Sequence, residues 1–133
     1  MKNIKLLLSF GAVALLAACS DPRPPEEIVA ERAQARWDAL VKQEFEAAWE
    51  YMTPGFREHT DSRDYYVEMR GRSVQWTGAE VESVACEEGR CEVAVTVGYR
   101  IPVGPAQLSG MESERRLRET WIGIDGKWWY AQG

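Results

Sequence analysis

Hydrophobic positions change period along this chain. From Leu6 to Ala18 apolar and small residues run without a break. The run is too short to cross a bilayer comfortably, which takes about 20 apolar residues. From Glu26 the period becomes helical. Val29, Ala33, Trp37, Leu40 and Val41 recur at steps of three and four and predict one apolar stripe, with Arg32, Arg36 and Lys42 off it. Glu26 and Glu27 fall in the first turn, where the helix dipole favours acids. The stripe pauses at Gln43-Glu44 and resumes with Phe45, Ala48, Trp49 and Met52, a second short helix that Pro54-Gly55 ends. A third helix is expected over Ser62 to Arg70, entered through Asp61 and Ser62 and left at Gly71, with Tyr65, Tyr66 and Met69 on its apolar side.

The period then falls to two. Val74 to Ala85 is rich in strand formers, with Gly78 as the expected bulge. Cys86 to Cys91 reads as a hairpin with a four-residue loop. Val93, Val95, Val97, Tyr99 and Ile101 alternate with Glu92, Ala94, Thr96, Gly98 and Arg100, which predicts one buried and one more polar face. A loop from Pro102 to Gly110, a strand from Arg115 to Ile124, an Asp125-Gly126 turn and a closing strand from Lys127 to Gln132 complete the chain. Pairing Cys86 with Cys91 sets Val84 beside Val93, but then Glu82 beside Val95 and Glu80 beside Val97. Either a bulge shifts the first strand's register or its outer half is an exposed edge. Helices followed by an antiparallel sheet make an α+β layout.

The apolar run gains a meaning from its flanks. Lys2 and Lys5 precede it, and Leu16-Ala17-Ala18-Cys19 closes it. A basic start, a short apolar segment and small residues at the end form a secretory signal. With cysteine directly after Ala18, the four residues resemble the lipobox of bacterial lipoproteins. The resemblance implies a signal peptide over 1–18 that is cut before Cys19, and diacylglycerol and acyl chains, palmitate among them, on that cysteine. The polar stretch Ser20 to Pro25, with Pro22, Pro24 and Pro25, reads as the extended end of a lipidated tether over 19–25. In these lipoproteins an aspartate directly after the lipidated cysteine tends to retain the protein in the inner membrane. Ser20 stands there, so the resemblance implies the outer membrane, facing the periplasm.

Charge and cysteines narrow the classes. The formal charge of −5 becomes −7 once Lys2 and Lys5 are removed. An acidic domain is a poor binder of nucleic acid and is not held on an anionic membrane by charge, so the acyl chains must anchor it. Besides Cys19, only Cys86 and Cys91 remain, and in an oxidising compartment their spacing suggests one disulfide. A structural zinc site wants four ligands, and His59 is the only histidine, so no metal is expected. No pattern calls for a cofactor.

Residues 26–133 form the single domain. Arg36-Trp37-Asp38-Ala39-Leu40 with Phe45-Glu46-Ala47-Ala48-Trp49-Glu50-Tyr51, and the terminal run from Glu119 through Trp121, Asp125-Gly126 and Trp128-Trp129 to Tyr130, resemble the nuclear transport factor 2-like superfamily. The resemblance implies a cone-shaped cystatin-like fold in which helices cap a concave sheet and leave a pocket. Its motifs are structural, and the superfamily includes isomerases, dehydratases, binding domains and inert subunits, so fold does not settle function.

Candidate pocket residues are Trp37, Trp49, Tyr65, Tyr66, Trp76, Tyr99, Trp121 and Tyr130, each set against the plainer reading of a core aromatic. Glu119 shares a strand face with Leu117 and Trp121, opposite the strand carrying Trp128 and Tyr130. As a weak catalytic candidate it would be a desolvated general base. The expected role is structural, accepting hydrogen bonds from Tyr65, Tyr66, Tyr99 or an arginine. His59 with Asp61 and Asp64 is read as an exposed polar turn, and Arg115-Arg116 with Arg118 as a solvated strand edge rather than a site for an anionic partner or lipid headgroup. The sequence therefore points first to a non-catalytic envelope lipoprotein that binds a small apolar ligand or an envelope protein. The alternatives are a small isomerase- or dehydratase-type enzyme using a pocket carboxylate, and a structural subunit that forms a homodimer.

The anchor is directly testable. Cys19→Ser is expected to leave the precursor at full size, because the lipid-dependent peptidase requires the modified thiol; normal processing with retention on membranes would rule the lipoprotein reading out.

Overall fold

The computed structural model describes residues 21–102 and 110–133. The signal segment, Cys19 and residues 103–109 of the long loop lie outside the described residues. Four helices come first: α1 (Pro25–Val41), α2 (Phe45–Trp49), α3 (Pro54–His59) and α4 (Ser62–Arg70). Four strands follow: β1 (Gln75–Glu87), β2 (Arg90–Arg100), β3 (Glu112–Ile124) and β4 (Lys127–Ala131). The strands form one curved antiparallel sheet in chain order, and the architecture is α+β.

Local chemistry explains the helix boundaries. Pro24 and Pro25 open α1, where a missing N–H costs nothing. At the other end Gln43 takes a left-handed conformation with φ 60°, and Glu44 N donates to Ala39 O at 2.8 Å while Gln43 N donates to Leu40 O at 3.1 Å. Those two bonds satisfy carbonyls that the helix end would otherwise strand. The Pro54-Gly55 pair does not simply end the preceding helix. It starts α3, with Thr53 Oγ1 accepting from Phe56 N at 3.2 Å and Pro54 in the first turn. Asp61 caps α4 by accepting from Asp64 N at 2.8 Å.

The register puzzle of the first strand resolves through two bulges. Val84 pairs with Val93, but a shift between Val81 and Ser83 sets Val81, not Glu82, opposite Val95, and Ala79 opposite Val97. Glu82 is the extra residue, so apolar side chains keep the buried face. The second shift falls between Trp76 and Gly78, at Thr77 rather than at the glycine itself. Thr77 lies over Gly98, where an added Cβ would come within 2.7 Å of the threonine hydroxyl. That close approach is what position 98 requires of a glycine.

The first hairpin turn is tighter than the four-residue reading of 86–91 suggests. Glu87 pairs with Arg90, leaving a two-residue loop of Glu88 and Gly89 with φ values of 47° and 76°. Asp125 and Gly126 repeat that geometry with φ of 51° and 76°. Two positive φ values match the right-handed twist of the flanking strands. Cys86 and Cys91 face each other with Cα atoms 4.0 Å apart and are joined by a disulfide.

The helices cover the inner face of the sheet. Val29, Ala33, Trp37, Leu40, Phe45, Ala48 and Met52 are buried against Val93, Val95, Val97 and Trp121. At one edge, the Gln34 side-chain amide donates to Ala79 O and accepts from Val81 N, both at 2.9 Å. At the other, Tyr130 N donates to Tyr51 O at 2.8 Å, and the Arg32 Nε–H donates to Trp128 O at 2.8 Å. The Arg57 guanidinium stacks over Trp129, 4.7 Å from the ring centre.

A disulfide closing so short a loop contributes about 2 kcal/mol in the chain-entropy model. Replacing both Cys86 and Cys91 by serine is expected to lower the melting temperature by several degrees while the circular dichroism spectrum keeps its folded form. An unchanged melting temperature, or free thiols in the oxidised wild type, would contradict the assignment.

Candidate functional site

One buried carboxylate organises the inner face. Glu119 is 7 % exposed and Arg36 is 5 % exposed. Glu119 lies on β3 between Leu117 and Trp121, opposite Val93 of β2. Its Oε1 accepts from Arg36 Nη1 at 3.0 Å and from Trp37 Nε1 at 2.8 Å, and its Oε2 accepts from Trp121 Nε1 at 3.2 Å. A charge out of water is tolerated only when paired and hydrogen-bonded, and this one is both. The donors differ from those expected. The arginine is present, but the remaining two bonds come from indoles and none from a tyrosine. The Arg36 guanidinium lies 3.6 Å from the centre of the Tyr130 ring, a stacked cation–π contact, while its buried Nε–H has no hydrogen-bond partner.

Arg36 does not lie off the helical stripe, as the sequence suggests, but is buried with it. It sits three residues after Ala33 and four before Leu40, so it shares their face and points inward with them. The signal was present in the spacing. An arginine at a stripe position needs an acid from elsewhere, and Glu119 was the acid already noted.

Beside this pair opens a cleft of about 730 Å³. Trp37, Tyr65, Trp76, Tyr99 and Tyr130 line it, together with Leu40, Met52, Met69, Val97 and Leu117. Trp37 meets Trp76 edge to face at 5.7 Å, which joins α1 to the start of β1 along the wall. Burial pushes the Tyr65 and Tyr130 phenols above the ordinary tyrosine range, with the nearby Arg36 charge pulling the other way. Both hydroxyls therefore stay protonated at neutral pH and can donate a hydrogen bond.

Three aromatic candidates lie elsewhere. Trp121 is fully buried in the core, where its indole serves Glu119. Trp49 donates from Nε1 to Thr60 O at 2.7 Å and ties α2 to the turn after α3. Tyr66 is 37 % exposed and leans its ring on Phe45 at 5.9 Å. His59 falls in the last turn of α3, and Asp61 and Asp64 are engaged in the α4 cap. The basic run splits by strand alternation. Arg115 shares the face of Leu117 and Glu119 and lines the cleft, whereas the Arg118 guanidinium reaches Glu92 on the outer face at 3.9 Å. The residues that sequence reasoning missed at the cleft are Arg36 and Arg72.

No family model and no curated protein matches the sequence. Solved structures do match its fold. A SEC-C motif containing protein from Psychrobacter arcticus superposes at a TM-score of 0.60 with 14% identity, over 80% of this chain and 60% of that one. An LEH-like epoxide hydrolase from M. tuberculosis superposes at 0.53 with 14% identity, over 82% and 79% of the two chains. A protein from Campylobacter jejuni described as an NTF2-like transpeptidase superposes at 0.50 with 10% identity, over 77% and 96%. The chain has a nuclear transport factor 2-like fold. At these identities the likeness is one of fold alone, and the chemistry of this cone must be argued from its own lining.

Removing Glu119 is expected to destabilise the cone. Glu119→Ala leaves Arg36 charged and unmatched and should cost about 3–5 kcal/mol, while Glu119→Gln keeps one acceptor and should cost about 1–3 kcal/mol. The pair Arg36→Met with Glu119→Leu should recover much of the loss, since apolar groups can replace a buried ion pair. Thermal unfolding of the three variants checks this. Single variants as stable as the wild type would refute the structural role.

Proposed function

We propose that this chain is a non-catalytic binding lipoprotein of the cell envelope, holding a small, largely apolar ligand in the cone. The observation that carries the reading is the state of Glu119. It is the one carboxylate among the described residues lining the cleft, and all three of its contacts are with N–H donors that the fold itself requires. A general base must be within reach of a substrate proton and free to accept it. Glu119 is held instead as the partner of Arg36. The cleft's size suits a drug-sized molecule, for which pockets of roughly 300–1,000 Å³ are usual. Its aromatic and aliphatic walls suit an apolar body, and the Tyr65 and Tyr130 phenols can orient a polar group.

Attachment belongs to the same proposal. The Leu16-Ala17-Ala18-Cys19 motif supports a lipid anchor at Cys19, and Ser20 after it supports the outer membrane with the domain facing the periplasm. The Cys86–Cys91 disulfide accords with an oxidising compartment.

Native mass spectrometry of the full protein extracted from membranes tests this reading. The expected species is a protein with one small-molecule adduct, and Leu117→Trp, which fills the cleft, should lose the adduct while keeping the melting temperature near that of the wild type. A ligand-free homodimer would overturn the binding reading in favour of a structural subunit.

A further inference from the structure

We infer that the ligand of this cone carries an acidic group, held at the mouth of the cleft by Arg72 and Arg115. The inference rests on the binding reading above and specifies the class of ligand. The chain is acidic, with a formal charge of −5, yet the cleft lining reverses that sign. Arg36, Arg72, Arg115 and Arg118 line it against Glu119 alone. Two of the four arginines are accounted for. Arg36 is matched by Glu119, and the Arg118 guanidinium points to Glu92 on the outer face with its side chain 83 % exposed. The remaining two are not used by the fold. Arg115 is exposed on the inward-facing row of β3 and has no hydrogen bond or ion pair to any described residue. The Arg72 side chain, just after α4, makes one hydrogen bond among the described residues, at 3.3 Å to the exposed Glu68 one turn earlier. Such a pair is worth little and exchanges readily for a better acceptor.

The deeper part of the cleft favours the same sign. Burial dominates the Tyr65 and Tyr130 phenols, but the Arg36 and Arg72 charges act on both, opposed at Tyr130 by Glu119. The Arg36 Nε–H is a buried donor without an acceptor, in a residue only 5 % exposed. Donors outnumber acceptors around the cleft: three guanidiniums and three phenols surround one carboxylate that already accepts three hydrogen bonds. A neutral apolar ligand would leave that imbalance as it is. A ligand with a carboxylate, sulfonate or phosphate on an apolar body supplies the missing acceptors, and guanidiniums bind such groups through paired N–H donors. Trp76, Tyr99, Leu117 and Val97 then form the apolar bed for the body.

Two probes of matched skeleton separate this inference from the binding reading beneath it. Anilinonaphthalene sulfonate carries one strong acid, and phenylnaphthylamine is the same ring system without it. Binding to the native full-length domain is followed by probe fluorescence and tryptophan quenching. The sulfonate is expected to bind roughly tenfold more tightly than the neutral parent, with that advantage shrinking as salt is added. Arg72→Gln and Arg115→Gln should each weaken the sulfonate by about three- to tenfold and leave the parent unchanged, with melting temperatures unaltered. Leu117→Trp should abolish both signals, which assigns them to the cleft. Equal affinities for the two probes, or variants without effect on the sulfonate, overturn the acidic-ligand inference while the binding reading stands. Failure of both probes to bind overturns both.

Discussion

The Arg36–Glu119 pair is the constraint on which the inner face of this protein depends. Each charge has left water, and neither could stay there without the other. The pair also brings distant parts of the chain into one geometry. Arg36 and Trp37 come from the first helix, while Glu119 and Trp121 come from the third strand. Adjacent residues on a helix diverge by about 100°, so having both Arg36 and Trp37 reach one carboxylate fixes how α1 is rotated above the sheet. Hydrophobic burial alone is non-directional and would tolerate other rotations. The polar cluster removes that freedom, and the cleft beside it inherits a defined shape.

The same cluster explains why an acid at the centre of a cone need not be reactive. A catalytic carboxylate is made by leaving its hydrogen-bonding capacity unfilled in a dry site. Here two indoles and a guanidinium already donate to the carboxylate. What remains available in the cleft is donor chemistry: phenols kept protonated by burial, and two arginines at the mouth with little to hold. The surface of the chain is acidic, so the sign of the cleft is a local property that composition does not show.

Much of the fold was legible because it rests on period and turn chemistry. The alternation of Val93, Val95, Val97 and Tyr99 names a half-buried strand without help from elsewhere, and Asp125-Gly126 names its turn. Two parts were harder for definite reasons. A bulge is invisible to alternation, since one extra residue inverts every side chain beyond it; only the conflict of Glu80 and Glu82 with a valine row hinted at the shift after Val81. Pro54-Gly55 ends one helix as plausibly as it starts another, and the Thr53 cap that decides the matter is a single residue. At the site, Glu119 stood out because it interrupts an apolar row. Arg36 interrupts a helical row in the same way, but the long arginine stem passes easily for a flanking surface residue. Arg72 lies in a connection with no period at all, so nothing local marks it.

One consequence lies at the outer border of the sheet. β1 is a terminal strand, and an unpaired strand border offers its backbone groups as a template for another chain. Around Ala79 and Val81 that template is already occupied, because the Gln34 amide takes the carbonyl of one and the N–H of the other. A side-chain amide has the same donor and acceptor as a peptide unit, so the helix supplies a one-residue imitation of a fifth strand. Growth of the sheet from chain to chain is capped there. Strand addition along this stretch of β1 would first have to displace the Gln34 amide.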